Sequence, residues 1–412
     1  MKQPMARKTT LPLDHDWLTP AFFADPYPRY HRLRAQAPVY WSEKLSSWIL
    51  TRYEDVVVAL RDPGRLSNAG RMGAILSKLP AALQPSLQLL YDHYSVGLIF
   101  SDPPDHARLR SLVSKAFSPA AVERMRPRIH AIVAELLNAA AGKETFDVIA
   151  DFAYPLPAMV ICEMLGLPPS DRPQFRSWTE DILALMGGNL DAAGAERGQN
   201  SLQAMREYYQ RIIYERRAHP GDDLISSLVH AQEQGQRLSE PELLSTSVTL
   251  LTAGQETTTS LIANGLLALL RHPDQLALLR SRPELMASAV EEFMRYETPV
   301  QRQLRLATED FELHGQRIRK GEIVSPFLGA ANRDPAHFSE PDRLDITRTD
   351  HRHTAFGYGI HFCLGAPLAR LDAPIAFAAL LSRFPRLRLA DQALQFKPDV
   401  TVRRLESMRV DH

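Results

Sequence analysis

Cysteine is almost absent from this chain. Of 412 residues, only Cys162 and Cys363 are cysteines, and neither sits in a C-x-x-C pair. That excludes a disulfide scaffold, leaves no pattern for a structural zinc site, and points to a reducing, cytoplasmic setting. Net charge is absent too. Lys+Arg and Asp+Glu both number 48, for a formal net charge of +0, which argues against a globally basic nucleic-acid binder. No apolar run reaches the about 18 residues that would signal a transmembrane helix. The best stretch, Val248 to Leu270, is broken by Gln255, Glu256 and Asn264. No apolar h-region follows Met1-Lys2-Gln3-Pro4-Met5-Ala6-Arg7-Lys8, so no signal peptide is expected. Repeats, low-complexity tracts and linker-like composition shifts are also missing, and one domain over residues 1–412 is the expectation.

What is present is ordinary in bulk: 45% hydrophobic and 23% charged residues, close to a soluble globular average. The chain is long enough to bury a core and enclose a cofactor. Its 30 prolines are scattered, which predicts many short elements joined by turns. Asp25-Pro26 opens a helix-like stretch to Ala35. Val39–Ser42 and Trp48–Thr51 read as a short hairpin. Helical patterns dominate from about Asp105 to Leu270, and strand-like pieces follow Glu297, at Phe311–Leu313, Gly315–Ile318 and Glu322–Phe327. The predicted fold class is mainly α with minor β.

The segment from Ser239 to Arg271 reads as one long helix. Ser239 and Glu242 form an S-x-x-E capping box, Leu238 and Leu243 occupy the staple positions, and His272-Pro273 stops the run. At ~1.5 Å per residue it spans roughly 48 Å and must cross the interior. Ala253-Gly254-Gln255-Glu256-Thr257 then places an acid, an amide and a hydroxyl in a buried setting, where polar groups need partners or a task.

The strongest signal is Ala355-Phe356-Gly357-Tyr358-Gly359-Ile360-His361-Phe362-Cys363-Leu364-Gly365. A glycine-punctuated loop delivers a cysteine to the mouth of a helix running from Leu364 to about Arg383. The helix N-terminus favours a thiolate, and the N–H groups of Leu364, Gly365 and Ala366 can reach the sulfur. Gly357 and Gly359 allow backbone geometry that a Cβ would forbid. A soft anionic sulfur held this way suits haem iron. Cys162, inside Met159-Val160-Ile161-Cys162-Glu163-Met164-Leu165, reads as core.

With these residues in view, the sequence closely resembles the cytochrome P450 family in its soluble bacterial form. Phe356–Gly365 matches that family's haem-binding signature at every defined position, and Ala253–Thr257 matches its oxygen-activating helix. The resemblance implies a cytochrome P450 fold, with a long central helix over haem b and small β-sheets. It implies Cys363 as iron ligand, with Phe356, His361 and Gly365 beside it and Ala253 and Gly254 over the opposite haem face. Thr257 becomes the hydroxyl near bound oxygen and Glu256 the acid that relays protons. Asp102-Pro103-Pro104-Asp105-His106-Ala107-Arg108-Leu109-Arg110 resembles the family's H-x-x-x-R helix, so His106 and Arg110, with Arg305 and His361, are expected on the haem propionates. Glu292-Phe293-Met294-Arg295 matches E-x-x-R, with Arg343 as the third member of a structural ion network. Pro374, inside the last helix, is a departure, and a kink or local break is expected there.

The family's pocket segments are apolar here, with Met72, Ile75, Leu76, Leu98, Ile99, Leu185, Met186, Leu250, Ala253 and Val300, next to Gln301. A hydrophobic substrate follows, of polyketide or macrolide, terpenoid or steroid, or fatty-acyl type. No flavin or iron–sulfur segment is present, so the resemblance implies electrons from a separate ferredoxin and its NAD(P)H-dependent reductase. These would dock near Cys363, where the Arg110 helix and Arg370 offer positive charge. The implied enzyme is a monomeric monooxygenase that uses O2, with no membrane or nucleic-acid partner. Non-oxygenating haem-thiolate chemistry (desaturation, oxidative coupling) and a haem-binding sensor or carrier are the rival readings.

Overall fold

The computed structural model describes residues 17–77, 79, 83–84, 87–186, 191–232 and 235–412, with Met186 by its backbone alone. Helices in the first part of the chain are α1 (Pro20–Ala24), α2 (Tyr27–Gln36), α3 (Tyr53–Arg61), α4 (Arg71–Leu76), α5 (Gln88–Ser95), α6 (Asp105–Ala116), α7 (Pro119–Arg124), α8 (Arg126–Ala141) and α9 (Pro155–Met164). Then come α10 (Arg172–Met186), α11 (Ala192–Ala218), α12 (Leu224–His230), α13 (Glu240–Arg271), α14 (Pro273–Ser281), α15 (Met286–Tyr296), α16 (Leu328–Ala331) and α17 (Ala366–Arg383). The strands are β1 (Val39–Ser42), β2 (Ser47–Leu50), β3 (Leu66–Ser67), β4 (Thr145–Asp147), β5 (Arg305–Ala307), β6 (Phe311–Leu313), β7 (Gln316–Ile318), β8 (Ile323–Pro326), β9 (Arg388–Leu389) and β10 (Arg409–Asp411). This is the mainly helical architecture with small sheets that the sequence pattern predicts.

The expected hairpin pairs Val39 with Leu50 and Ser42 with Ser47. It joins a sheet of order β1-β2-β8-β5-β3, in which β2 and β8 run parallel, with Trp48 opposite Val324. The stretch expected to open at Asp25 becomes helical at Tyr27, whose N–H is accepted by Asp25 Oδ1 at 3.2 Å.

Helix α13 is the axis of the main core. Ser239 caps it in the full capping box, with its N–H donating to Glu242 Oε2 at 2.7 Å. Leu238 and Leu243 are both buried. Glu242 is also paired with Arg108, which fastens α6 to the start of α13. Farther along, a Cβ at Gly265 would lie 2.8 Å from Phe377 and 2.9 Å from Phe293. The absent side chain is what lets α15 and α17 press against the central helix.

Helix α17 carries Pro374, where a kink or a local break is expected. It runs unbroken through Pro374, so no local break occurs. Pro374 cannot donate to the carbonyl one turn back, but buried Ala373, Ile375, Ala376 and Phe377 hold the helix in place, and tertiary packing outweighs the lost bond. Next to this proline, Asp372 is 2% exposed, and its Oδ1 finds no partner. Burial pushes its carboxyl up to about 8. The folded protein therefore keeps a proton there that the unfolded chain has released above its ordinary value near 4. Asp372 thus costs stability increasingly as pH rises from about 4 to about 8, and the cost levels off beyond. Asp372→Asn should stabilise the protein at pH 8 and change little at pH 4.5. Denaturant melts at both values check this, and a gain independent of pH would contradict it.

Candidate active site

The chain around Cys363 is a tight loop leading into α17. Gly357 and Gly359 have φ of +72° and +71°, a region side chains rarely adopt. A Cβ at Gly359 would also lie 2.8 Å from the Leu60 carbonyl, so only glycine lets the loop sit against the end of α3. The Cys363 N–H donates to Phe356 O at 2.9 Å and the Gly357 N–H to Thr354 O at 2.8 Å, closing the loop on itself. Cys363 is accessible, yet burial is the largest influence on its thiol and pushes it up. The two observations agree when the sulfur faces an enclosed space rather than bulk water. Opposing that push are the backbone N–H groups of Gly365 and Ala366 and the charges of Arg110 and Arg370. Two of the three expected N–H groups thus act on the sulfur. Arg370 gives both Nε and Nη2 to Glu291, at 2.7 and 2.8 Å, so much of the charge expected for docking is neutralised internally.

Beside this loop the structure gathers basic side chains. The His106 and His361 rings are 4.2 Å apart between centroids. Arg110, Arg305 and Arg71 all act on His361, which burial and then this company push down to about 3. Arg305 is pushed down to about 10 by burial. Arg71 falls to about 9 by burial and then by Arg305. Asp102 opposes the shifts of Arg71, His106 and Arg305, and its oxygens also accept from Ser67 Oγ and from the N–H groups of Asn68 and Ala69. The Nε2 atoms of His106 and His361 and the Nε of Arg71 are buried without partners among the described residues. Uncompensated buried donors of this kind are costly unless an anion meets them. A flat ligand with two carboxylates and a metal for Cys363 fits this donor set, and haem is such a group. Arg71 was not singled out in the sequence. Its position at the start of α4 gave no local signal, and only the fold brings it beside Arg305.

Across the site, Ala253 of α13 is exposed, whereas Leu251, Thr252 and Gln255 around it are buried. A Cβ at Gly254 would meet only Ile161, at 3.8 Å, so packing within the protein does not explain this glycine. The Thr257 hydroxyl donates to Ala253 O at 3.1 Å, and the helix passes this turn without opening. Glu256 is ion-paired with Arg404, a contact the sequence did not foretell. Thr258 and Thr259 are buried, and Thr259 donates to Gln255 O at 2.9 Å.

The expected pocket residues divide. Leu98, Leu250, Ile75 and Val300 are half-buried, Met72 and Leu76 are buried, and Ile99 is exposed. The Met186 side chain lies outside the described residues. Leu185 and Gln301 make contacts within the fold. Leu185 is buried and wedged against Gly198, so it serves the packing of α10 on α11. Gln301 accepts from Tyr30 OH at 2.9 Å and donates to Thr298 O at 2.5 Å, so one bond on each side of its amide is made within the fold.

The ion network also differs in one member. Glu292 and Arg295 pair through two hydrogen bonds of 2.7 and 2.8 Å. The third member of the network, the second arginine on Glu292, is Arg348, at 3.2 Å, rather than Arg343. Arg343 contributes its backbone carbonyl to Arg295 and turns its side chain outward to Glu340.

Comparison with known proteins gives the same picture. A family model described as Cytochrome P450 matches residues 84–398. Cytochrome P450 CYP107DY1 of Priestia megaterium is 45% identical over 368 residues, 88% of this chain and 89% of that protein. The 6-deoxyerythronolide B hydroxylase of Saccharopolyspora erythraea is 40% identical over 410 residues, 98% of each chain. Among solved structures, the bacillaene polyketide synthase cytochrome P450 PksS of Bacillus subtilis superposes with a TM-score of 0.87 at 39% identity, covering 96% of this chain and 98% of that one. A cysteine loop, a cation cluster and a central acid–threonine helix in one fold, with likeness along nearly the whole chain, have one reading: the chain belongs to the cytochrome P450 monooxygenase family.

Proposed function

We propose that this protein inserts one oxygen atom from O2 into a hydrophobic small molecule, with electrons delivered by a separate ferredoxin and its NAD(P)H-dependent reductase. Members of its family bind haem b through a cysteine thiolate, and the haem supplies oxygen activation at its iron. In this reading Cys363 is the ligand. His106, Arg110, Arg305 and His361, together with Arg71, hold the propionates through charge-assisted hydrogen bonds. Phe356 and Gly365 shape the loop, and Ala253 and Gly254 face the other side. Thr257 holds or donates a proton by its hydroxyl, and Glu256 resupplies it. The observation that carries the reading is the convergence of three arginines and two histidines, all buried or half-buried, beside an accessible cysteine.

The substrate proposed first is of polyketide or macrolide type. The apolar character of Met72, Leu76, Leu98, Leu250 and Val300 supports a hydrophobic ligand, and two of the relatives named above carry polyketide-related names. Exposed Phe362, at 38%, adjoins Cys363 and offers an apolar centre for the ferredoxin contact. We further propose a cytoplasmic monomer in which residues 1–412 form one haem domain. The test is turnover under 18O2 with a ferredoxin and reductase and a panel of macrolactone, steroid and fatty-acyl compounds. A product carrying one labelled atom is the expected result. Solely dehydrogenated or coupled products, or no turnover of any compound that binds, would overturn it.

A further inference from the structure

Glu291 and Glu292 are neighbours on α15, yet they serve different networks. Glu292 holds Arg295 and Arg348, whereas Glu291 meets the cysteine loop and its helix. Oε1 and Oε2 of Glu291 accept from Nε and Nη2 of Arg370 at 2.7 and 2.8 Å. Oε2 also lies 3.1 Å from His353 Nε2. The Ala355 N–H donates to His353 Nδ1 at 3.2 Å, so Nδ1 carries no proton and Nε2 donates its own to Glu291. His353 is therefore neutral, and the charges in this cluster are one guanidinium and one carboxylate. Burial pushes the Glu291 carboxyl up, but the bonds from Arg370 and His353 outweigh it and hold the group down at about 2. The Glu291 side chain keeps 13% exposure and that of Arg370 43%. One carboxylate thus ties α17, through Arg370, to the chain entering the cysteine loop, through His353.

Arg370 stands one helical turn beyond Ala366, whose N–H acts on the Cys363 sulfur. Its guanidinium lies over the Phe356 ring, 4.6 Å from the centroid, and Phe356 O accepts the Cys363 N–H at 2.9 Å. The charge of Arg370 reaches the sulfur. Alone, that cation would draw electron density away from a thiolate. We propose that Glu291 is a positioning residue that seats Arg370 on the Phe356 ring and offsets its charge, so that the Cys363 thiolate stays electron-rich and the haem iron keeps a lower reduction potential. Groups that surround a metal ligand without touching the metal tune its potential in this way, and an electron-rich thiolate is what favours O–O cleavage. The inference rests on the reading of Cys363 as the iron ligand.

The test is a spectroelectrochemical titration of the haem-loaded protein, with the reduced carbonyl spectrum recorded alongside. It compares the parent with Glu291→Gln, Arg370→Gln, the double variant of these two, and Arg370→Lys. Glu291→Gln leaves the Arg370 charge unmet and should raise the affinity of the iron for its electron by about tenfold, or about 59 mV for one electron. The part exposure of Arg370 keeps the effect from being larger. Arg370→Gln leaves the Glu291 charge unmet and should lower the affinity by a similar factor. The double variant carries neither charge and should return close to the parent. Arg370→Lys keeps a cation on Glu291 and should also stay close to it. A network that only holds the fold would move Glu291→Gln and Arg370→Gln in the same direction, with the double variant farthest from the parent. That outcome, or an unmoved potential in both single variants, overturns the inference. If Glu291→Gln takes up no haem, a fall in Arg370→Gln that Arg370→Lys does not share supports the inference, and equal shifts in those two overturn it. A parent without the red-shifted carbonyl band overturns the reading of Cys363 and this inference together. With that band present, unmoved or parallel potentials overturn this inference alone.

Discussion

Replacing Thr257 by Ala should leave reductant consumption running while product per NAD(P)H falls by about tenfold or more, the scale of a positioned proton-transfer group. The expectation follows from the helix. Thr257 is half-buried and follows exposed Ala253 by one turn, so its hydroxyl lies on the accessible side, where Thr258 and Thr259 are buried. Its bond to Ala253 O at 3.1 Å keeps the hydroxyl on that side. Without it, water can enter the space but is not held in one orientation, and electrons leak to peroxide. Thr257→Ser should retain most of the coupling. The check is product, peroxide and NAD(P)H measured in the same reaction. Parent-like coupling in Thr257→Ala would reject the role.

Arg295→Ala should yield little folded protein. Arg295 is 1% exposed. Besides its fork onto Glu292, it donates to the carbonyls of Asn332, Pro341 and Arg343 at 2.9, 2.7 and 3.1 Å. Removing it leaves Glu292, also 1% exposed, without the two-bond fork and with only the longer Arg348 contact at 3.2 Å and the Asp345 N–H at 2.9 Å to meet its charge. Breaking a buried pair in this way costs about 3–5 kcal/mol, against a total stability of about 5–15 kcal/mol for a typical domain. The damage reaches the cysteine. Asn332 accepts the Thr354 N–H at 2.6 Å, and Thr354 O accepts the Gly357 N–H at 2.8 Å, so the network holds the start of the cysteine loop. Arg295→Lys should fail nearly as badly, because an ammonium cannot reproduce the fork and the three carbonyl contacts. Denaturant unfolding of whatever soluble protein is obtained decides this, and a loss under about 1 kcal/mol would contradict it.

Which features were readable in advance follows from how local their causes are. The capping box at Ser239, the stop at His272-Pro273, the hairpin at Val39 and the loop glycines before Cys363 are set by residues a few positions apart, and each stands where the pattern put it. His106 and Arg110 lie one helical turn apart and could be placed together. Long-range side-chain choices could not be read. Arg348 displaced Arg343 because both lie in one irregular stretch, and which of them turns inward depends on how that stretch folds back on α15. Arg404 lies 148 positions from Glu256, and nothing near either residue announces the pairing. The Gln301 contact with Tyr30 spans 271 positions, and nothing near either residue announces it. Pro374 was read by its own preference, and of the two outcomes expected there the local break does not occur.

The measurement closest to the central claim is the visible spectrum of the purified protein, ferric and then reduced under carbon monoxide, for the parent and for Cys363→Ala. A strongly red-shifted Soret band in the reduced carbonyl form, lost in Cys363→Ala, is the result expected if the Cys363 thiolate holds the haem iron. A carbonyl band typical of histidine ligation in fresh parent protein, or a red-shifted band that survives the loss of Cys363, would contradict the account.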